Sequence, residues 1–379
     1  MTRQQLMAVL PAMVLAGCAS NATIKYPPQT QQQAEIDNRQ STAYVAKAAT
    51  EFRDRDIVVP AYFDTQGLEL CTFDPANESD GCPLKKPVLR VYFDGNQVQG
   101  KSELAEALHS LDNLNLSKMF ENQVVGLNRF RIVTRDQSAV DVELDTQLRD
   151  GGASAVIARR MEQAPLLPDY LLKIDTLKTA DTFYAEYNGM AQYGLELTSA
   201  VLNPMTKEKL SHPNVGKVRV RGTDVRAKSE LVFTEVSGRY YTGFDYTNPD
   251  NVRAVMNDMA SRGFDIMITR LLSEMPATAQ VQGFKGNQVT LDRGQNAGIL
   301  PNETMVLFQY EAGFVEPIGI ATMTPSSLSA YGTVVRWKDN DLADGIRRNA
   351  KGQIYRPDPA VRIFAVSVGT PPDFLDKRM

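Results

Sequence analysis

Met275-Pro276-Ala277-Thr278-Ala279-Gln280-Val281-Gln282-Gly283-Phe284-Lys285-Gly286-Asn287-Gln288-Val289-Thr290-Leu291 is the stretch at which this chain changes character. Before it, Asp250 caps a long apolar-periodic run through Val252, Val255, Met256, Met259, Phe264, Met267, Ile268, Leu271 and Leu272, and Pro276 stops it. Proline has no amide hydrogen and blocks further helix. After it the period drops to that of strands. Gln280 to Phe284 and Gln288 to Leu291 flank the turn Lys285-Gly286-Asn287, which predicts a hairpin.

Moving C-terminally, Arg293-Gly294-Gln295-Asn296-Ala297-Gly298 makes a second turn, followed by strands at Thr304–Tyr310, Ile318–Met323, Gly332–Trp337 and within Ala360–Val368. Short strands separated by glycine turns predict a small all-β barrel or sandwich over residues 277–368, with a polar tail at 369–379. Moving N-terminally, strands and helices alternate. A helix is expected from Ser41 to Phe52 and a strand at Ile57–Phe63. A strand at Val88–Phe93, closed by Asp94-Gly95-Asn96, precedes a helix capped by Ser102 with Leu104, Leu108, Leu111 and Leu114 on one face. Arg129–Val133 reads as a strand, and Val140, Leu144 and Leu148 lie four apart on a helical face. Strands at Pro168–Asp175, Ala191–Leu202, Val215–Val220 and Leu231–Phe244 complete an α/β layer domain over residues 43–276.

The amino terminus has a separate logic. One basic residue, Arg3, precedes the apolar run Leu6–Leu15 and the small residues before Cys18, the plan of a secretory signal peptide over residues 1–17. Leu15-Ala16-Gly17-Cys18 resembles the lipobox of bacterial lipoproteins. That resemblance implies acylation of Cys18, cleavage before it and a membrane-attached mature chain. Ala19 in place of an aspartate implies, by the enterobacterial pattern, the periplasmic face of the outer membrane. Residues 18–42 are rich in Asn, Gln, Thr and Pro and read as a flexible tether. Two further cysteines, Cys71 and Cys82, flank a segment of turn formers; in an oxidising compartment they are expected to form a disulfide. No histidine lies near them, which argues against zinc. A formal net charge of −4 and the lack of a basic block argue against a nucleic-acid partner.

Residues 88–275 resemble the periplasmic domain of the CsgG family of curli secretion channel lipoproteins and the related penicillin-binding-protein activator lipoproteins. The likeness rests on Val88–Phe93, on Arg129-Phe130-Arg131-Ile132-Val133-Thr134-Arg135 leading into Val140, Leu144 and Leu148, and on the turn Asn203–Lys207. Residues 279–344 are similar to the C-terminal domain of the flagellar assembly protein FlgT, through Gly286-Asn287-Gln288-Val289, Leu291-Asp292-Arg293-Gly294 and Gly298-Ile299-Leu300-Pro301. These resemblances imply an oligomeric, non-catalytic subunit of a cell-envelope assembly or export machine. Its partners would be the membrane, further copies of itself and other envelope proteins. A peptidoglycan-synthase activator and a channel subunit are the alternatives. The span from Ile174 to Leu195 is short for a channel hairpin, and Arg219, Arg221, Arg226, Lys228 and Arg239 are costly on a lipid-facing side.

Residues suited to catalysis do not gather into a motif. His109 and His212 stand apart, and neither accompanies a hydrolase nucleophile pattern. Glu103 and Glu106 lie on a solvated helical face. Gly283, Gly286, Gly294 and Gly298 lack the lysine of a phosphate loop and read as turn glycines. Trp337, Tyr331 and Tyr310 read as packing residues, with a glycan or partner surface as the alternative. The expectation is a non-enzyme with no cofactor or metal.

Overall fold

A computed structural model describes residues 46–61, 63–71, 82–100, 113–134, 166–184, 189–210, 216–221, 231–236, 239–245, 249–358 and 361–378. The signal segment, Cys18, the tether, Ser102 with its helix stripe as far as Leu111, His109, Glu103, Glu106, His212 and the periodic run Val140–Leu148 lie outside the described residues.

The first module is a mixed sheet. Its strands are β1 (Val88–Gly100), β2 (Arg131–Ile132), β3 (Tyr170–Tyr184), β4 (Gly189–Leu202), β5 (Lys209–Leu210), β6 (Lys217–Arg221), β7 (Leu231–Val236) and β8 (Arg239–Asp245). They run in the order β2-β1-β3-β4-β8-β7, with β5 and β6 also paired to β4. Strand β1 is parallel to both neighbours, and the remaining pairs are antiparallel. Helices α1 (Asn113–Val125) and α2 (Pro249–Glu274) cover one face. Along β4, Tyr193, Leu195, Leu197 and Val201 alternate into that face and are buried there. Phe93 of β1, Phe120 of α1 and Phe264 of α2 meet edge to face, with ring centres 5.3 to 6.3 Å apart. The opposite face is polar: Lys173 pairs with Asp94 and Asp175, and Glu196 with Lys217 and Arg219. Desolvation would raise the Glu196 carboxyl, but Lys217 and Arg219 outweigh it and hold the group below its ordinary value.

Two expectations fail here. The turn formers Asp94-Gly95-Asn96 do not end β1, which absorbs them as a bulge and continues beside β3 to Gly100. Nor is the β3–β4 hairpin short: the pair runs in unbroken register from Leu171 opposite Leu202 to Tyr184 opposite Gly189.

The second module is a closed six-stranded barrel in the order β10-β13-β12-β11-β14-β9. Its strands are β9 (Thr278–Lys285), β10 (Gln288–Leu291), β11 (Glu303–Glu311), β12 (Phe314–Pro325), β13 (Ala330–Trp337) and β14 (Arg362–Ser367). Helix α3 (Asp341–Asn349), unanticipated from the sequence, is capped by Asn340, whose side-chain oxygen accepts from the Ala343 amide at 2.9 Å. Ala343 and Ile346 of this helix enter the barrel core. Met305 and Leu307 of β11 point into the barrel, whereas Val306, Phe308 and Tyr310 belong to a second apolar cluster. That strand is therefore buried on both sides, which explains its continuous apolar run.

The second cluster is completed by residues the sequence order assigned to the α/β layer. Ala49, Phe52, Ile57, Phe63, Leu68 and Leu84 pack on the barrel wall formed by Val306, Phe308, Ile320, Phe364 and Val366. Neither the helix expected up to Phe52 nor the strand at Ile57–Phe63 forms over the described residues. The segment is an irregular strap with three-residue 3-10 turns at Ala49–Glu51 and Asp54–Asp56. Its apolar residues mark contacts along one wall rather than a regular period. Cys71 and Cys82 are both buried and joined by a disulfide within this strap. The residues after β14 are not a free polar tail: Phe374 of α4 (Phe374–Arg378) is buried in the core of the sheet module.

Candidate functional site: the clasp and cleft between the modules

The two modules meet where two sequence motifs, far apart in the chain, come together. Asn128 adopts a left-handed conformation (φ 55°) that turns the chain out of α1. Its side-chain amide donates to the Gln295 carbonyl at 2.7 Å. Next to it, Arg129 is almost fully buried. It donates to the Gly298 carbonyl at 3.0 Å, to Glu303 Oε1 at 2.7 Å and to the Met275 carbonyl at 3.4 Å. Glu303, 1% exposed, also accepts from the Leu300 amide at 2.7 Å and from the Ser367 hydroxyl. Every oxygen of the carboxylate is engaged, the condition under which a buried ion pair is tolerated.

Gly298 shows why a glycine is needed there. Its φ is +72°, and a Cβ would stand 2.5 Å from the Arg129 Cα. Arg293 makes the reciprocal reach from the barrel: its Nη1 donates to the Leu84 carbonyl at 2.6 Å, and its Nε donates to Asp292 at 3.3 Å. Asp292 also accepts from the Gln280 amide at 2.8 Å, and burial pushes its carboxyl above the ordinary value despite Arg293. The arginines that sequence reading treated as separate family signatures are thus two halves of one clasp.

A cleft of about 650 Å³ opens beside the clasp, bounded by the strap, the Cys82–Pro87 segment, the start of β3, the turn after β4 and the end of α2. Its rim carries Leu167 and Met205, 74% and 83% exposed. Lys86 lines the cleft and donates to Asn128 Oδ1 at 2.6 Å. Burial, with Arg131 and Arg129 alongside, holds this lysine below its ordinary pKa. Tyr170 is pushed up by burial and by Asp169. Thr278 lines the cleft with a buried hydroxyl that has no hydrogen-bond partner among the described residues. Such a cleft can bind and position a ligand. Among the described residues no group of three His, Cys, Asp or Glu side chains is placed to hold a metal ion.

Of the other residues singled out, Trp337 stacks near Phe284 (5.8 Å) and donates to Asn287 at 3.0 Å. Tyr310 is buried against the strap and donates to Glu69 at 2.9 Å, so both take packing roles. Tyr331 does not, being 56% exposed on the barrel exterior. The rim residues Leu167 and Met205 escaped sequence reading. A leucine pair beside Pro168 and a methionine inside a turn were the available signal.

No family model matches the chain, and no curated protein matches it. Among solved structures, one similar chain is the hypothetical protein CT253 from Chlamydia trachomatis, at 12% identity, covering 50% of this chain and 98% of that one with a TM-score of 0.25. Another is the LpoB C-terminal domain from Salmonella enterica, at 16% identity, 36% and 82% coverage and a TM-score of 0.17. No described helix is long and apolar enough to cross a membrane.

Proposed function

We propose that this is an outer-membrane-anchored periplasmic lipoprotein acting as a non-catalytic, self-associating subunit of a cell-envelope assembly or export machine. The observation that carries the reading is the sheet. Strands β1, β3 and β4 run 13 to 15 residues. Beyond Leu89 the outer edge of β1 meets no strand among the described residues, and the outer edge of β7 likewise ends the sheet. Open edges, the long one of β1 and the six-residue one of β7, invite strand pairing with another chain. Here β7 is antiparallel to β8, and β8 to β4, so the β7 edge of one copy and the β1 edge of the next run in opposite directions, as an antiparallel joint needs. Joints of this head-to-tail kind close into rings where the rotation from copy to copy closes, and extend as filaments where it does not.

The test is native mass spectrometry of the detergent-extracted, lipidated protein beside a Cys18→Ser form. One discrete oligomer is expected; a monomer at micromolar concentration sinks the self-assembling subunit. A second reading, a channel subunit, draws support from the β3–β4 register, which exceeds the roughly 9–11 residues of a membrane-spanning strand. Conductance steps in planar bilayers are expected under that reading and absent under the first.

A further inference from the structure

We propose that the cleft between the modules binds a short peptide that carries both a free amino and a free carboxyl group. At about 650 Å³ the cleft lies within the roughly 300–1,000 Å³ of small-ligand sites. It holds an unmet hydrogen-bonding group. Thr278, the first residue of β9, is 4% exposed, and its hydroxyl has no partner among the described residues. A buried hydroxyl left alone is costly, and a ligand that fills the cleft supplies the missing partner.

The ionic groups disfavour a ligand of one sign. Lys85 and Lys86 line the cleft together with Asp64, Asp169 and Glu274, while Arg129 is already engaged by Glu303. The two signs interleave: Asp169 accepts at 2.7 Å from the amide of Val88, two residues beyond Lys86. An anion or a cation alone would meet a like charge beside its partner.

A ligand with one charge at each end satisfies both sets. Its carboxylate suits Lys86, which gives one of its three ammonium donors to Asn128 Oδ1. Burial beside Arg131 and Arg129 disfavours the charge of that lysine, and a carboxylate partner would offset the penalty. The ligand's ammonium group is left for the acids.

The walls favour a peptide over a single amino acid. Phe63, Leu84, Leu167, Met205 and Met275 give them apolar surface for side chains. Pro83, Pro87, Pro168 and Pro276 interrupt that surface, and a proline brings a carbonyl acceptor but no amide donor. Walls of this kind accept from a ligand's own amides, which a peptide carries and a free amino acid lacks. Binding there requires neither acylation of Cys18 nor self-association.

The experiment follows methionine methyl resonances of the chain from residue 18 with Cys18→Ser, titrated with a pool of Ala-Xaa-Ala tripeptides with free ends. Met205 and Met275, which line the cleft, should shift with half-saturation at about 1 mM or below, and Met323 in the barrel core should not. The same pool, acetylated and amidated at its ends, should bind about tenfold more weakly. Thr278→Val keeps the side chain's shape and removes its hydroxyl. It should weaken binding by about fivefold and leave the thermal midpoint unchanged or higher, because no bond within the protein is lost. A purely structural hydroxyl gives the reverse, a lower midpoint with unchanged binding. No saturable shift up to about 10 mM, equal binding by the capped pool, or wild-type affinity in Thr278→Val overturns the proposal.

Discussion

At the scale of single residues, Arg129 and Glu303 carry the most concentrated energy, because both are almost fully buried. Removing one partner strands a charge in the interior. Arg129→Ala is therefore expected to cost roughly 3–5 kcal/mol in urea denaturation. Replacing both by apolar residues of similar volume, Arg129→Met with Glu303→Leu, should cost clearly less, since no unpaired charge remains. If the double variant is as unstable as Arg129→Ala, the ion pair is not the source of the effect. Gly298→Ala tests the same contact from the other side: its Cβ meets backbone atoms of Arg129 that cannot swing away. A destabilisation above the ordinary cost of about 1–2 kcal/mol for a left-handed residue is expected.

The strap is the element with the clearest dependence on solution conditions. Its Asp54 accepts from the Asp339 amide at 2.8 Å and from Lys338 Nζ at 3.1 Å. These bonds hold its carboxyl below the ordinary value of 3.8. The carboxylate's contribution is thus fully present above about pH 4 and is lost as pH falls through the lower folded value. Amide-exchange protection at Asp339, corrected for intrinsic rates, should drop over that acid range in the wild type and show no such step in Asp54→Asn. The disulfide restrains the same strap at its far end; Cys71→Ala with Cys82→Ala should lose about 2–3 kcal/mol while leaving the barrel folded. Legibility in the sequence follows a similar division. Helix α2, the break at Pro276 and the barrel strands were readable, because period and turn chemistry agreed there, although α2 begins at Pro249 and takes Asp250 into its first turn rather than as its cap. The strap was not: Ile57 and Phe63 touch a wall supplied by residues about 240 to 310 positions away, and no local period records such contacts. The clasp was half readable. Arg129 and Gly298 were each singled out, but nothing in the sequence shows that one reaches the other.

The described residues form three apolar clusters, one in the sheet module, one inside the barrel and one between the strap and the barrel wall, and the molecule's cooperativity rests on what joins sheet to barrel. The sheet module is centred on Phe93, Phe120 and Phe264, and the barrel on residues such as Leu307 and Ile318. Arg129 crosses from sheet to barrel, and Phe374 returns from beyond the last barrel strand into the sheet core. The intervening tail is tied at Thr370 to α2, and Asn302 donates to Asp373 at 2.9 Å. Small interfaces between modules ordinarily let each unfold on its own. A clasp in which the carboxylate is fully engaged, plus an inserted aromatic ring, raises the penalty for separating them. Wild-type protein should therefore melt in a single calorimetric transition, with van't Hoff and calorimetric enthalpies in agreement. Combining Arg129→Ala with Phe374→Ala removes the buried ion pair and the inserted ring while leaving most of each core in place, and should resolve two transitions, the sheet module melting first because it loses the ring. Two transitions already present in the wild type would show that clasp and tail position the modules without coupling their stability, leaving the cleft between them free to change its width.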